Sequence, residues 1–344
     1  MILVAAVFVG LLLRRTIQDD TKWHEGDDWN RFFRVYDELA NEQFENCESK
    51  KIESRFGSTQ VHICGSRNDP EISDDGVHQS DVKSPVFLLH GLASQSLIFG
   101  NWLVPSLAES HYTVSIDSLC DVGRSYPKHG DPKSCPQTSD ELSEWIIDIT
   151  DQLNIPKQTK VDLVGYSYGG FVAAKVALDN PDRFGKLAII APASVFAHVS
   201  LEFIVIAIGY SLLGAIFPTQ AMKERLSDWY FTYLIKDPSA MSVNEWPAQL
   251  TELRLATQAV GTSILAVPPE EFSDEDLTQL QAQHPMLLIL GRKDFIMNAT
   301  GAAQRASTTG SAKTRVMMYE DAGHLMCMEH PRQEIASSVS SFLA

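Results

Sequence analysis

Positive charge is what this chain has least of: 28 Lys and Arg stand against 44 Asp and Glu, a formal net charge of -16 over 344 residues. Binding to a phosphate backbone needs a concentrated positive surface, so nucleic acid is excluded as a partner. The acidic balance reads as a solvated, self-repelling surface. Metal-binding patterns are missing as well. The five cysteines, Cys47, Cys64, Cys120, Cys135 and Cys327, contain no C-x-x-C and no zinc-ligand spacing. They read as ordinary thiols. A Cys120 to Cys135 bridge stays open, since a sequence does not show whether two cysteines approach to within about 6 Å.

Long hydrophobic runs are also absent, with one near miss. The N-terminal stretch MILVAAVFVGLLL has 13 residues, short of the roughly 20 that span a bilayer. No Lys or Arg precedes it and no small-x-small cleavage site follows. Arg14 and Arg15 come directly after it, a stop-transfer flank that would hold the rest of the chain in the cytoplasm. Residues 1–15 are therefore expected to be a membrane anchor on a membrane-associated protein. A signal peptide or a buried end are the alternatives.

What is present is enough apolar material, 44% of residues, for a large globular core. Trp29, Phe32, Phe33, Tyr36 and Leu39 recur at helical spacing, predicting an amphipathic helix from Asp27 to Phe44. KKIESRFGSTQVHICG predicts a hairpin around Gly57 and Ser58, and NDPEISDDGVHQSD a surface loop. Beyond it, PVFLLHG, YTVSID, KVDLVGYS, KLAIIAP, PMLLILG and TRVMMYE are short apolar runs. Helical stretches such as SDELSEWIIDITDQL, opened by Ser139, lie between several of them. Strands apolar on both faces, alternating with helices, predict an α/β fold: a mostly parallel eight-stranded sheet covered on both sides. The rhythm breaks once, from Ser194 to His284, and that insertion between the sixth and seventh strands is expected to be a helical cap.

Ser167 stands out within VDLVGYSYGG. In an open parallel sheet, ligands bind beyond the carboxyl ends of the strands. VDLVG delivers Ser167 to such an end, and YGGFVAAKVAL begins a helix directly behind it. G-x-S-x-G between a strand and a helix is a nucleophile elbow, whose glycines clear space in a tight turn. A nucleophilic serine needs a base and an orienting acid, in the chain order Ser, Asp, His for this arrangement. Asp294 follows the strand LLILG and His324 follows the last strand, so both reach the same sheet edge as Ser167. The other histidines lack that placement. Asp321, three residues before His324, is the rival acid and reads as a turn former.

With these motifs in view, the chain from about residue 50 to its end resembles the α/β-hydrolase superfamily, and most of all its capped serine esterases and lipases. The resemblance rests on His90-Gly91 after the third strand, DSLCDVGRS from Asp117, GYSYGG at Ser167, GRKD ending in Asp294, and AGH at His324 followed by EHP. It implies an oxyanion hole from the backbone N–H groups of Leu92 and Tyr168, with His90 structural. Leu-Cys-Asp after the fourth strand departs from the family pattern, in which a proline and a small residue are expected.

The expected chemistry is ester hydrolysis of a small-molecule substrate by Ser167, Asp294 and His324 without metal or organic cofactor. Other acyl chemistry on the same triad, or a ligand-binding protein retaining the triad, are the alternatives. The apolar segment Val195 to Phe217 is expected to line an acyl or alcohol pocket rather than span a membrane. Asn298-Ala299-Thr300 is a glycosylation acceptor close to Asp294, where a glycan would crowd the site. The domain plan is 1–15 apolar segment, 16–50 helical lead-in, 51–193 first part of the core, 194–284 cap and 285–344 second part of the core.

Overall fold

The computed structural model describes residues 25–66, 83–217, 219, 222, 225, 267–328 and 331–344. The apolar segment 1–15, the acidic loop from Asn68 to Asp81, most of the cap, and His24, His78 and His330 lie outside the described residues. The elements of the described residues begin with α1 (Asp27–Gln43) and the antiparallel pair β1 (Glu48–Glu53) and β2 (Gly57–Cys64). There follow β3 (Val86–Leu89), α2 (Val104–Ala108), β4 (Thr113–Ile116), β5 (Tyr126–Pro127), α3 (Ser139–Gln152) and β6 (Val161–Tyr166). Then come α4 (Tyr168–Asp179), β7 (Phe184–Ile190), α5 (Leu201–Ile216), α6 (Asp274–Gln283), β8 (Met286–Gly291), α7 (Ala299–Thr309), β9 (Thr314–Tyr319) and α8 (Arg332–Leu343).

The strand order is β1-β2-β4-β3-β6-β7-β8-β9, with the two-residue β5 added beside β2. β2 runs antiparallel to β4, and every pairing from β4 to β9 is parallel. The eight-strand path and the helical insertion between β7 and β8 follow the sequence pattern; β5 is an addition the pattern did not contain.

Side-chain alternation sorts the strands onto two cores. Phe87, Leu89, Leu163, Leu187, Ile189, Leu288 and Leu290 face one side, where α3, α4, α6 and α7 contribute Trp145, Ile146, Phe171, Leu277 and Ala302. Val86, Leu88, Val164, Tyr166, Ala188, Ile190, Leu287 and Ile289 face the other, against Phe32, Tyr36 and Leu39 of α1 and Ile335 and Val339 of α8. Because both faces are covered, the central strands are apolar throughout. Period-2 pleating then gives each core every second residue.

The helix α1 is docked by more than its apolar stripe. Tyr36 donates its hydroxyl to Asp117 Oδ2 at 2.8 Å, and His62 Nε2 lies 2.9 Å from the same hydroxyl. Burial and the Asp117 charge push the Tyr36 pKa upward, so the phenol stays a donor. Asp117 Oδ1 also accepts from the Ser96 amide at 2.8 Å and hydroxyl at 2.6 Å, and Oδ2 from the Arg124 amide at 2.8 Å. A fully buried carboxylate is tolerable only with donors of this kind around it.

Three expectations are corrected. The cysteines are not all thiols: Cys47 bridges Cys64 and Cys120 bridges Cys135, with Cα separations of 4.5 and 6.0 Å, while Cys327 is buried and outside both disulfides. Ser139 does not cap α3; Thr138 does, accepting from the Glu141 amide. Membrane association and a membrane-held catalytic part are also set aside. Among the described residues no helix is long and apolar enough to cross a membrane, and residues 1–15, on which that expectation rested, lie outside them.

Candidate active site

Strand β6 is buried along its whole length and ends in a turn that few residues tolerate. Ser167 has φ 53 and ψ -115, a conformation that costs on the order of 1–3 kcal/mol and persists only when its surroundings fix it. They do so here. Its N–H donates to Ile190 O at 2.9 Å, and its carbonyl accepts from Gly170 N at 2.9 Å and Ala193 N at 3.0 Å. The glycines allow α4 to press on the sheet. A Cβ at Gly165 would lie 2.4 Å from Gly169 O, and one at Gly169 would lie 2.0 Å from Leu89 O.

The three residues separated by 157 positions of sequence meet at this elbow. His324 Nε2 is 2.9 Å from Ser167 Oγ, and His324 Nδ1 is 2.7 Å from Asp294 Oδ2. Facing a carboxylate, Nδ1 is the nitrogen that carries the proton, which leaves Nε2 as the acceptor for the serine hydroxyl. Asp294 Oδ1 accepts from the amides of Ile296 at 2.8 Å and Met297 at 3.2 Å. The side chains of His324 and Asp294 are only 3% and 1% exposed. Tyr166 adds a support that no sequence signal announced: its hydroxyl donates to the His324 carbonyl at 2.5 Å. Asp321 is elsewhere, 89% exposed and paired with Lys293 Nζ at 2.8 Å.

The strip after β3 borders the serine. A Cβ at Gly91 would sit 3.2 Å from Ser167 Cβ, so Leu92 follows at the lip of the elbow while the Tyr168 amide opens α4 on the other side. His90 fixes this strip from below. Its Nε2 accepts from Ser118 N–H at 2.8 Å, so its Nδ1 is protonated and donates to Gly91 O at 2.7 Å. Burial lowers its pKa and keeps the ring neutral. Of the remaining histidines in view, four have structural partners: His62 with Tyr36 and Ser49, His111 with Ser110, His198 with Glu271, and His284 with the carbonyls of Gly185 and Ala177; His129 is exposed in the turn before Gly130.

The start of the cap is sewn to the acid loop. Ser200 N donates to Ile296 O at 2.6 Å, Ser200 Oγ donates to Phe295 O at 2.7 Å, and Val199 bridges Met297. Phe203, on the first turn of α5, meets Phe295 edge-on at 6.3 Å. Asn298, exposed, caps α7 through the Gly301 amide at 2.9 Å, four positions past Asp294. Among the described residues no group of three or more His, Cys, Asp or Glu side chains could hold a metal ion. The arrangement as it stands can activate a hydroxyl as a nucleophile and present helix-end amides to negative charge.

Comparison with known proteins agrees with that chemistry. A family profile described as alpha/beta hydrolase fold matches residues 84–331. The carboxylesterase YbfK of Bacillus subtilis (strain 168) is 24% identical over 328 residues, covering 95% of this chain and 98% of that protein. The 2-hydroxymuconate semialdehyde hydrolase of Pseudomonas sp. (strain CF600) is 26% identical over 299 residues, covering 81% and 96%. The crystal structure of naproxen esterase (carboxylesterase NP) from Bacillus subtilis superposes with a TM-score of 0.72 at 22% identity, covering 93% of this chain and 99% of that one. That last likeness is one of fold.

Proposed function

The chain belongs to the α/β-hydrolase fold family, among serine hydrolases of esterase- and lipase-like build, and from that premise we propose that it cleaves carboxylic esters through an acyl-enzyme on Ser167. The observation that carries this reading is the unbroken relay from Ser167 Oγ through the His324 ring to Asp294 Oδ2, at 2.9 and 2.7 Å. Ser167 Oγ attacks the acyl carbonyl while His324 Nε2 takes its proton. Asp294 holds the imidazole and stabilises the cation that forms. The oxyanion is received by the amides of Leu92 and Tyr168, in a position where preorganised donors act most strongly. His324 then gives its proton to the departing alcohol. Water, deprotonated by the same ring, releases the acid.

An apolar acyl or alcohol group is the proposed specificity, supported by the ring of Phe203 placed over the acid loop against Phe295. A second reading, carbon–carbon bond hydrolysis on the same triad, is favoured by one specific likeness, that to the 2-hydroxymuconate semialdehyde hydrolase.

The test is labelling of the purified protein with a fluorophosphonate, the modified residue located by mass spectrometry, followed by a screen of p-nitrophenyl esters, anilides and β-diketones. Modification of Ser167 with esters turned over fastest is the expected result. Absence of labelling removes the nucleophile assignment, and faster β-diketone cleavage moves the chain to the second reading.

A further inference from the structure

Leu92 is 43% exposed and Ala93 beside it is exposed too, so side-chain packing does not set the shape of the strip that would form half of an oxyanion hole. Something else must, because Ala93 is held at φ 54, a left-handed conformation that alanine avoids. The group that meets it is Asp121. Both carboxylate oxygens accept from the Ala93 amide, at 3.0 and 3.2 Å, and Oδ1 also accepts from the Val122 amide at 2.7 Å. Asp121 is itself 1% exposed. Burying a carboxylate is costly unless donors compensate, and the amide of Ala93, an exposed loop residue, is one of the donors used here.

The segment that carries Asp121 is in turn fastened. Cys120, its neighbour, has φ 66 and is bridged to Cys135, Cα to Cα 6.0 Å. Cys120 and Asp121 are two of the three residues by which the fourth-strand loop departs from the family pattern.

We propose that Asp121 is a positioning residue for ester hydrolysis: it fixes the turn at Ala93 so that the Leu92 amide points at the developing oxyanion, and the Cys120–Cys135 bridge holds Asp121 in place. This rests on the esterase reading of Ser167. The carboxylate touches no reacting atom. Its action is geometric, and its loss would free the Leu92 amide to wander from a position that must be met to within a fraction of an ångström.

The experiment uses the full-length oxidised protein and its Asp121→Ala and Asp121→Asn variants, with kcat and KM for p-nitrophenyl butyrate and the inhibition constant of an alkyl trifluoromethyl ketone. Loss of one oxyanion donor costs about 10²–10³ in kcat. Asp121→Ala is expected to lower kcat about 10²-fold, the lower end of that range, with KM within about threefold, and to weaken the ketone by a factor matching the kcat loss. Asp121→Asn, whose amide oxygen still accepts one N–H, should recover part of both. In a double-mutant cycle, Cys120→Ser with Cys135→Ser should lower kcat in the parent, yet by less than about twofold further in Asp121→Ala, since both changes act on one element.

The proposal is overturned if Asp121→Ala and Asp121→Asn leave kcat and ketone binding unchanged below their melting temperatures, or if the cysteine and Asp121 losses simply add. Failure of the esterase reading would look different: the parent protein itself would neither turn over esters nor be labelled at Ser167.

Discussion

Removing the serine or the histidine of a triad that acts as a unit costs about as much as removing all three members, so Ser167→Ala and His324→Ala should each lower ester kcat by about 10⁶-fold. Asp294→Asn should cost less, about 10⁴-fold, because the imidazole loses its tautomer but not its basic nitrogen. Asp321→Asn should leave kcat within twofold, since that carboxylate faces solvent and Lys293 rather than His324. A kinetic comparison of these four variants at one pH, with circular dichroism confirming folding, tests the assignment. Equal damage from Asp321→Asn and Asp294→Asn would break it. That Ser167, Asp294 and His324 would meet at one sheet edge could be read from the sequence because each follows an apolar run that only a strand explains. Asp121 could not. Its importance lies in a bond to Ala93, 28 positions away, and nothing local to LCDV marks that contact. Tyr166 was hidden for the same reason, its partner being 158 positions distant.

Among the elements, the β6–β7 pair holds a feature that links sequence to pH. The pairing slips between Val161 and Leu163, and at the slip the Asp162 carboxylate accepts from the Lys186 amide at 2.6 Å, in place of a ladder carbonyl. Burial raises the Asp162 pKa to about 6, outweighing the Lys186 amide bond and charge, which act the other way. The native state therefore binds more protons than the unfolded chain between the ordinary carboxylate value and about 6. Stability contributed by this group is present at low pH and is lost as pH rises through that window. Asp162→Asn, which keeps an acceptor without the charge, should raise Tm at pH 7.5 and have much less effect at pH 4. A larger gain at pH 4 than at pH 7.5 would contradict the sign. The disulfides are the other inter-element links that the sequence did not disclose. Cys47 follows α1 and Cys64 ends β2, and apolar periodicity says nothing about which thiols meet. Replacing both with serine should cost about 2–4 kcal/mol of stability, as for other loops of this size. Thermal melts of oxidised and double-serine protein would show it, with kcat at 25 °C unchanged because this bridge is remote from Ala93 and Ser167.

Across the whole molecule, the sheet and its two cores were legible because a parallel sheet covered on both faces writes itself as repeated short apolar runs. Composition was a weaker guide. The expectation of a membrane-held chain came from 13 apolar residues, yet among the described residues no helix reaches spanning length and apolarity. Two disulfides are moreover the habit of chains that fold in oxidising surroundings.

The cap was legible as an insertion but not in how its apolar side chains divide. The sequence treats Phe203, Ile204, Ile206, Ile208, Leu212, Leu213, Ile216 and Phe217 as one lining. In the structure the side chains of Phe203, Ile204 and Ile206 are partly buried, whereas Leu212, Leu213, Ile216 and Phe217 are 46, 45, 65 and 50% exposed; the Ile208 side chain lies outside the described ones. A helix rises 1.5 Å per residue, so Leu212 stands about 13 Å along α5 from Phe203, and only the near end lies over Phe295 and the acid loop. Acyl selectivity should therefore come from the Phe203 end alone. Each substrate CH₂ buried there is worth about 0.8 kcal/mol at most, so four added methylenes should raise kcat/KM by about two orders of magnitude. The measurement is kcat/KM for p-nitrophenyl acetate, butyrate and octanoate, each below its aggregation limit and without detergent. The parent protein should show a rising series, Phe203→Ala should flatten it, and Ile216→Ser should leave it as it is, because the Ile216 side chain already faces water. A series that is flat in the parent, or that collapses with Ile216→Ser and survives Phe203→Ala, would place the acyl-binding wall elsewhere.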